Sequence, residues 1–339
     1  MLRIGQIGVG YWGPNLLRNL VASRRCSVPL VVDISGERRE YVKTHYPAIE
    51  VSETVDTLFK NPEVSAVVIA TPVASHFDLA MRSLEAGKHV FVEKPLARSV
   101  AEVDQIRALA EQKKLVVMVG HTFIFNAAVR YVKELVDAGE LGDIRYIYSQ
   151  RLNLGRIRSD VDALWNFAPH DISIIQYWLG DPTPLSAVRR GVSYVQEDVD
   201  DVVFLNIMYP NKIMANIHVS WLDPHRVRLM VVVGSKKMVV YDDAAENKIA
   251  IFDKGIDRKA VLGQNMDFDN QSFPVFDHRS GDVIMPKIDF KEPLQVEIDH
   301  FIDCVEGRAE CLTGVEHARK VVWILETAGK SAPDTSASP

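Results

Sequence analysis

"IGQIGVGYWGPN", residues 4–15, sets three glycines, Gly8, Gly10 and Gly13, at the end of an apolar run and just before Pro14. The spacing G-x-G-x-x-G acquires meaning from its context: a strand before it, a helix after it, and an acidic residue about twenty positions on. All three are present. "LRIGQIG" (2–8) has the composition of a buried strand, residues 12–23 carry a helical pattern, and Asp33 closes the next apolar run, "VPLVVD" (28–33). In that setting Gly8 allows the tight turn, Gly10 lets the backbone approach a pyrophosphate, and Gly13 lets the helix pack on the strand. The helix N-terminus at Tyr11, Trp12 and Gly13 offers free N–H groups and a partial positive charge to an anion. Asp33 is placed to accept hydrogen bonds from ribose hydroxyls. The plain alternative is a glycine-rich turn that binds nothing; the three features together favour a dinucleotide. A carboxylate at position 33 repels the extra phosphate of NADP, so NAD is expected rather than NADP. Arg38 and Arg39, a helical turn or more further on, offer positive groups that could hold that phosphate, or else form a solvated helix face.

Outward from that turn, strand and helix signals alternate. Apolar runs at 64–71, 89–94 and 115–120 are separated by helical patterns at 36–45, 74–86 and 99–113. Continuous apolar strands between helices imply a parallel sheet covered on both faces. After residue 121 the rhythm changes. A helix at about 126–138, a strand at 144–152 and a helix at about 168–178 lead into closely spaced strands such as "DVVFLNIMY", "KIMANIHVSW" and "RVRLMVVV". Ile213, Ala215, Ile217, Val219 and Trp221 alternate with Met214, Asn216, His218 and Ser220, so one face of this sheet packs on helices. The other is half-polar and suits a subunit interface or a substrate wall. The expected architecture is α/β: a Rossmann domain over 1–121, then a second α/β domain over 122–330 on a large, open, mostly antiparallel sheet. Helices return at about 294–306 and 314–329, and 331–339 is small, polar and expected to be disordered.

The 339 residues suffice for two domains, with 47% hydrophobic and 25% charged residues, an ordinary soluble composition. A net charge of −6 gives no electrostatic footprint for nucleic acid. Three cysteines without C-x-x-C spacing argue against a disulfide framework or a structural zinc site, and no metal is expected. No apolar run reaches membrane-spanning length. A cytoplasmic protein without a membrane partner is expected.

Ligands on open parallel sheets bind at the carboxyl ends of the strands. "TPVASH" (71–76) therefore places Thr71, Pro72 and His76 at the cofactor's border, although His76 also reads as an ordinary helix-start residue. "VEKPLA" (92–97) places Glu93 and Lys94 at the end of the next strand. Burying a lysine there is costly unless it serves the chemistry, and burial moves its pKa towards neutrality. Taken alone, Lys94 also reads as a surface lysine in a turn.

GVGYWG, Asp33, ATP (70–72) and EKP (93–95), in that order, resemble the Gfo/Idh/MocA oxidoreductase family, over essentially the whole chain to about residue 330. "NAAVRYVKELVDAGELGDIRYI" (126–147) is similar to that family's helix and first strand after the Rossmann domain. The resemblance implies a nicotinamide cofactor, hydride transfer at a sugar or polyol carbinol, and Lys94 as the catalytic lysine. It also implies a signature of an acidic residue, three residues, then histidine. Here that signature reads "NFAPHD" (166–171), so His170 matches the histidine while Asn166 replaces the acid. An amide cannot accept a proton, which leaves acid–base work to Lys94 and His170. "RLNLGRIRSDVDALWNFAPHDISI" (151–174) and 218–243 resemble more closely the branch that oxidises nucleotide-linked amino sugars, of the UDP-N-acetylglucosamine 3-dehydrogenase kind. Arg151, Arg156 and Arg158 would then face a diphosphate, or else form a solvated basic loop. Trp165 packs on the nicotinamide or sugar, or in the core. His121 and Asn126 fall at the expected edge of the cleft.

The expected function is NAD-dependent oxidation of the C3 hydroxyl of a nucleotide sugar, with an aminotransferase as consumer of the keto product. The alternatives are a dehydrogenase of a free sugar or cyclitol, and a non-catalytic NAD-binding regulator. The half-polar sheet face suggests a homodimer or homotetramer.

Overall fold

The computed structural model describes residues 1–155, 157–259 and 275–330. The chain begins β1 (Leu2–Ile7), α1 (Gly13–Ala22), β2 (Cys26–Ser27), β3 (Leu30–Val32), α2 (Gly36–His45), β4 (Glu50–Ser52), α3 (Val55–Phe59) and β5 (Ala66–Ile69). It continues α4 (His76–Glu85), β6 (His89–Glu93), α5 (Val100–Lys113) and β7 (Val117–Gly120). These strands form a seven-stranded parallel sheet in the order β4-β3-β1-β5-β6-β7, with the short β2 added beside β1. The strand order reverses between β3-β1 and β1-β5, which is where such sheets open a crevice for a ligand. The short β4 and α3 have no strong sequence periodicity and lie outside the expected pattern.

Alternate residues of the parallel strands feed two cores. Val67, Ile69, Val90 and Val92 meet Leu79, Leu84 and Ile106 on one face. Ala66, Val68 and Phe91 meet Leu16, Leu17 and Leu20 of α1 on the other. Period-two alternation in a run that is apolar throughout is what burial on both faces produces.

The second part comprises α6 (Ala127–Asp137), β8 (Ile144–Leu154), α7 (Ala163–Trp178), β9 (Ser186–Val192), β10 (Val202–Met208), β11 (Met214–Ser220) and β12 (Leu222–Gly234). β13 (Met238–Asp242), β14 (Ile249–Lys259) and β15 (Val275–Ile284) complete its sheet, before α8 (Pro293–Val305) and α9 (Val315–Lys330). The eight strands run β15-β14-β13-β12-β8-β11-β10-β9, antiparallel except for the parallel pair β8 and β11. Ala215, Ile217, Val219 and Trp221 are fully buried against α7 and α9, as the alternation in the sequence requires. The opposite face keeps Phe204, Met208 and Met214 exposed, with Phe204 stacked on His218 at 4.1 Å.

The division at residues 121 and 122 separates the two sheets, but not everything after it belongs to the second one. Leu294, Ile298, Phe301 and Ile302 of α8 complete the core over β1 and β5 beside α1. On α9, Ala318 and Val322 face the first sheet while Val321, Ile324 and Leu325 face the second. An amphipathic pattern shows that a helix has an apolar face, not which sheet it covers. The helix expected at about 168–178 starts five residues earlier, because the Asp162 side chain caps it by accepting from the Trp165 N–H at 2.9 Å. The tail at 331–339 lies outside the described residues.

Candidate active site

The glycine turn is built as its spacing requires. Gly8 has φ +93°, and a Cβ there would stand 2.6 Å from the Ala70 carbonyl oxygen. A Cβ on Gly13 would stand 2.5 Å from the Gly8 carbonyl oxygen, so α1 packs directly onto the turn. Gly10 differs: the nearest atom to its Cβ position is the tip of the flexible Arg38 side chain at 3.4 Å. The protein itself gives little reason for glycine at 10, whereas an approaching diphosphate does. Tyr11 and Trp12 beside it are exposed. Asp33 is buried, one oxygen accepting the Val9 N–H at 2.7 Å and the other the Ser35 N–H at 2.9 Å. Each oxygen keeps a lone pair for a ribose hydroxyl. Arg38 lies 3.7 Å from Asp33 and is half-exposed. The turn and Asp33 thus have the shape and donor set that fit NAD.

Thr71 follows β5, and its hydroxyl lies 2.8 Å from that of Ser75. His76 is buried, with Nδ1 2.8 Å from the Pro95 carbonyl and Nε2 2.9 Å from the Thr71 carbonyl. Its ring braces the Thr71–Pro72 turn against the Lys94 loop and has no nitrogen left for a cofactor. Burial pushes its pKa down.

Glu93 closes β6, and Lys94 follows it at the start of a cis Lys94–Pro95 bond. Lys94 Nζ donates to the Asn166 carbonyl at 2.9 Å. This contact spans the two sheets, and it uses the backbone of Asn166 rather than its amide. Pro169 lies inside α7 and has no N–H for the carbonyl of Trp165, so the helical ladder is interrupted in the turn that receives Lys94. Burial pushes the Lys94 amine down to about 8, with Arg151 and Arg158 adding to the effect against Glu93. Burial lifts Glu93 to about 7, while the Lys94 ammonium and the Trp12 indole favour its ionised form. Gly120 makes room for it, since a Cβ there would stand 2.9 Å from the Glu93 carboxylate.

Asn166 and His170 share a helical face, four residues apart. His170 is held neutral: burial pushes its pKa well down, and the charges of Lys94, Arg151 and Arg228 act in the same direction. Its Nδ1 is buried without a hydrogen-bond partner, and its ring meets Phe123 edge-on at 5.1 Å. His121 is also buried and pushed well down, chiefly by desolvation and then by His317 and Lys94. Asn126 caps α6 by accepting the Ala128 N–H at 2.9 Å, which gives it a structural role.

The three arginines separate. Arg151 is buried and forms a two-pronged ion pair with Asp171, Nε to Oδ2 at 2.7 Å and Nη2 to Oδ1 at 3.2 Å. Its guanidinium lies over Phe123 at 4.7 Å. It therefore anchors the helical turn bearing His170 and is not a free cation for a diphosphate. Arg158 pairs with Asp160 near the surface. Arg156 lies outside the described residues. A cavity of about 300 Å³ at the cleft mouth is lined by Val73, Arg98, Ser159, Asp160, Trp165 and Asp198, among others. Trp165 thus reaches the cleft, half-buried. Arg98 escaped the sequence reading although it follows Lys94 by four residues. Asp171 and Phe123 escaped it because their roles arise from contacts across elements.

Residues 2–121 match the model of an oxidoreductase family with an NAD-binding Rossmann fold, and residues 129–240 match the GFO/IDH/MocA C-terminal domain. The UDP-N-acetylglucosamine 3-dehydrogenase of Acidithiobacillus ferrooxidans is 31% identical over 201 residues, 59% of this chain and 61% of that protein. Its solved structure superposes with a TM-score of 0.80 at 24% identity, covering 98% of this chain and 97% of the other. GenD2 from gentamicin A biosynthesis, solved with NAD, also superposes at 0.80, with 22% identity over 98% of this chain and 94% of that one. The NADP-dependent scyllo-inositol 2-dehydrogenase of Bacillus subtilis is 29% identical over 132 residues, 39% of this chain and 36% of that enzyme. Across other curated relatives the matched part covers 69%, 37% and 62% of the relative's own length. No helix among the described residues is long and apolar enough to cross a membrane.

Proposed function

The chain belongs to the Gfo/Idh/MocA oxidoreductase family, and on that premise we propose that it is an NAD-dependent dehydrogenase of a sugar carbinol. We assign it the C3 hydroxyl of a nucleotide-linked sugar of the UDP-N-acetylglucosamine kind, with a 3-keto sugar as product. The observation that carries the reading is Lys94: an amine at the carboxyl edge of an NAD-binding sheet, tuned to about 8 and tied to the carbonyl one turn before His170.

Gly8, Gly10 and Gly13 would hold the NAD diphosphate at the start of α1, and Asp33 the ribose. When bound, NAD supplies the acceptor for the carbinol hydrogen and its two electrons. The protein manages the remaining proton. Neutral His170 offers a nitrogen to the substrate hydroxyl without adding charge, and Lys94 accepts the hydroxyl proton as the carbonyl forms. Lys94 is the better acceptor, because catalytic bases work best with a pKa near the operating pH and His170 is held well below it. Glu93 beside Lys94 balances the resulting ammonium. Arg98 at the cleft mouth, where no ion pair engages it among the described residues, is the cation we assign to the substrate diphosphate.

One observation favours a second reading, a free sugar or cyclitol. Arg151 is neutralised by Asp171, and the cleft mouth holds the carboxylates Asp160, Asp162 and Asp198, which suit hydroxyls better than phosphate. We further propose that the exposed face with Phe204 and Met214 joins copies into a dimer or tetramer. The three free thiols suit a reducing, cytoplasmic setting, and an aminotransferase would consume the keto product.

The test is absorbance at 340 nm with NAD or NADP and a panel of UDP-N-acetylglucosamine, UDP-glucose, myo-inositol and glucose. Reduction of NAD with a UDP-sugar alone supports the first reading. A signal with myo-inositol or glucose moves the substrate to the second. NAD binding without turnover on any of them, even with an aminotransferase drawing off the product, leaves a regulator.

A further inference from the structure

The three cysteines show no metal-binding spacing by the usual C-x-x-C criterion, yet the fold gathers two of them with a histidine. His300 and Cys304 lie four residues apart on one face of α8. The helix ends at Val305, Gly307 turns the chain at φ +70°, and the returning loop brings Cys311 back to the same place. The ligand-type atoms of His300, Cys304 and Cys311 all lie within 4.8 Å of one another, and Cys304 Sγ is 3.4 Å from His300 Nε2. Zinc bonds of about 2.3 Å to sulfur and 2.0–2.1 Å to nitrogen, at tetrahedral angles, place two sulfurs roughly 3.8 Å apart and a sulfur and nitrogen roughly 3.6 Å apart. The Cys304–His300 edge, 3.4 Å, is close to that value, and the other two edges are no longer than 4.8 Å.

We propose that His300, Cys304 and Cys311 form a zinc site with three protein ligands and a fourth position for water. The backbone N–H of Leu312 donates to His300 Nε2 at 3.1 Å, so Nε2 is the unprotonated nitrogen, and a bound ion would take over that lone pair from the N–H. That is the tautomer a metal ligand needs. Two thiolates and a neutral imidazole exactly offset a divalent ion, so occupying this largely buried corner adds no net charge. His300 also lines a cavity of about 690 Å³ with Asp299 and Asp303, which gives water a route to the fourth position. The ion would clasp the end of α8 to the loop that docks on the Rossmann sheet, where Val119 N–H donates to the Thr313 carbonyl at 2.9 Å and Met118 bridges Gly314. The proposal uses neither Lys94 nor His170 and is independent of the substrate reading.

The test is titration of the full-length, reduced, metal-stripped protein with cobalt(II), then displacement by zinc(II). The site predicts one equivalent of cobalt, a thiolate-to-cobalt band in the near ultraviolet, and visible bands of tetrahedral type that zinc bleaches. Cys311→Ser should lose about half of the near-ultraviolet band, since one of the two thiolates is gone, and His300→Gln should bind cobalt at least about tenfold more weakly. Zinc should raise the melting temperature of the parent and not of Cys311→Ser. Cys311 is only partly buried whereas Cys304 is buried, so this variant keeps the test usable if Cys304→Ser fails to fold. A reduced protein that gives no stoichiometric cobalt spectrum overturns the proposal, as does a spectrum that survives unchanged in Cys311→Ser and His300→Gln.

Discussion

Arg151 and Asp171 are worth more to this site as a pair than either is alone. The pair is buried, and removing one member leaves the other as an uncompensated charge, which costs about 3–5 kcal/mol. Asp171→Ala should therefore lower unfolding stability by about that amount in urea titrations, while Arg158→Ala, at the surface, should change it little. Glu297 of α8 gives a second prediction. It is fully buried, accepts the Thr122 hydroxyl at 2.6 Å, and burial with Glu93 nearby pushes its pKa well above the usual 4.5. The folded protein thus retains a proton that the unfolded chain releases. Stability from this group is complete below pH 4.5 and is lost as pH rises towards the folded-state value. Glu297→Gln should remove that loss: between pH 5 and 8 the parent's melting temperature should fall relative to the variant's. Legibility at this scale followed locality. Gly8, Gly13 and Asp33 could be found because strand, turn and residue are consecutive in the chain, whereas Lys94, which alone reads as a surface lysine, was singled out by the family resemblance. Arg151 was misassigned as a free cation because its partner sits twenty residues on, across a strand and a helix. Glu297 has no local signal at all, since its setting is made by residues almost two hundred positions earlier.

At the scale of elements, β11 shows the clearest passage from sequence to packing. Its alternation places Ile217 in the core beneath α7, fully buried. Ile217→Ala removes that apolar volume from a packed interior and should cost about 2–5 kcal/mol, measured by chemical unfolding. The neighbouring Asn216→Ala, on the outer face, should change stability by less than about 0.5 kcal/mol. The same period was readable throughout the Rossmann strands, so their existence and order of type were legible. The start of α7 was not, because a cap at Asp162 lies upstream of the strongest apolar stretch and Pro169 within the helix masks its continuity. That proline leaves the Trp165 carbonyl without its helical donor, next to the Asn166 carbonyl that receives Lys94. The destinations of α8 and α9 were illegible for a different reason. An apolar stripe has no address, and only the folded chain shows α8 filling the space beside α1.

Over the whole molecule, the second sheet is buried on one side by helices and left bare on the other. Phe204, Met208, Met214 and Tyr146 are exposed there together. Scattered apolar residues on a surface are ordinary, whereas several on one sheet face are the basis of the self-association proposed for it. Phe204→Glu would place a charge at the centre of that patch. Light scattering or sedimentation should then show a dimer or tetramer reduced to smaller species, with melting of the monomer core little changed. An unchanged mass would overturn the proposal that this face joins copies. The cleft between the sheets follows from the same arrangement: α9 packs on both sheets, and the Lys94 contact to α7 closes the opposite side.

The most direct test of the central claim compares the parent with Lys94→Ala and His170→Asn, measuring NAD affinity by calorimetry and turnover at 340 nm across pH 6 to 10. All three should bind NAD with similar affinity, because the cofactor is held by the glycine turn and Asp33. In the parent, kcat/KM for oxidation should rise with pH through about 8, since the base must be unprotonated. His170→Asn should keep that limb at a rate roughly 10²-fold lower, and Lys94→Ala should lose both the limb and about 10²–10⁴-fold in rate. A Lys94→Ala enzyme that turns over within tenfold of the parent, with the pH limb intact, would contradict the account.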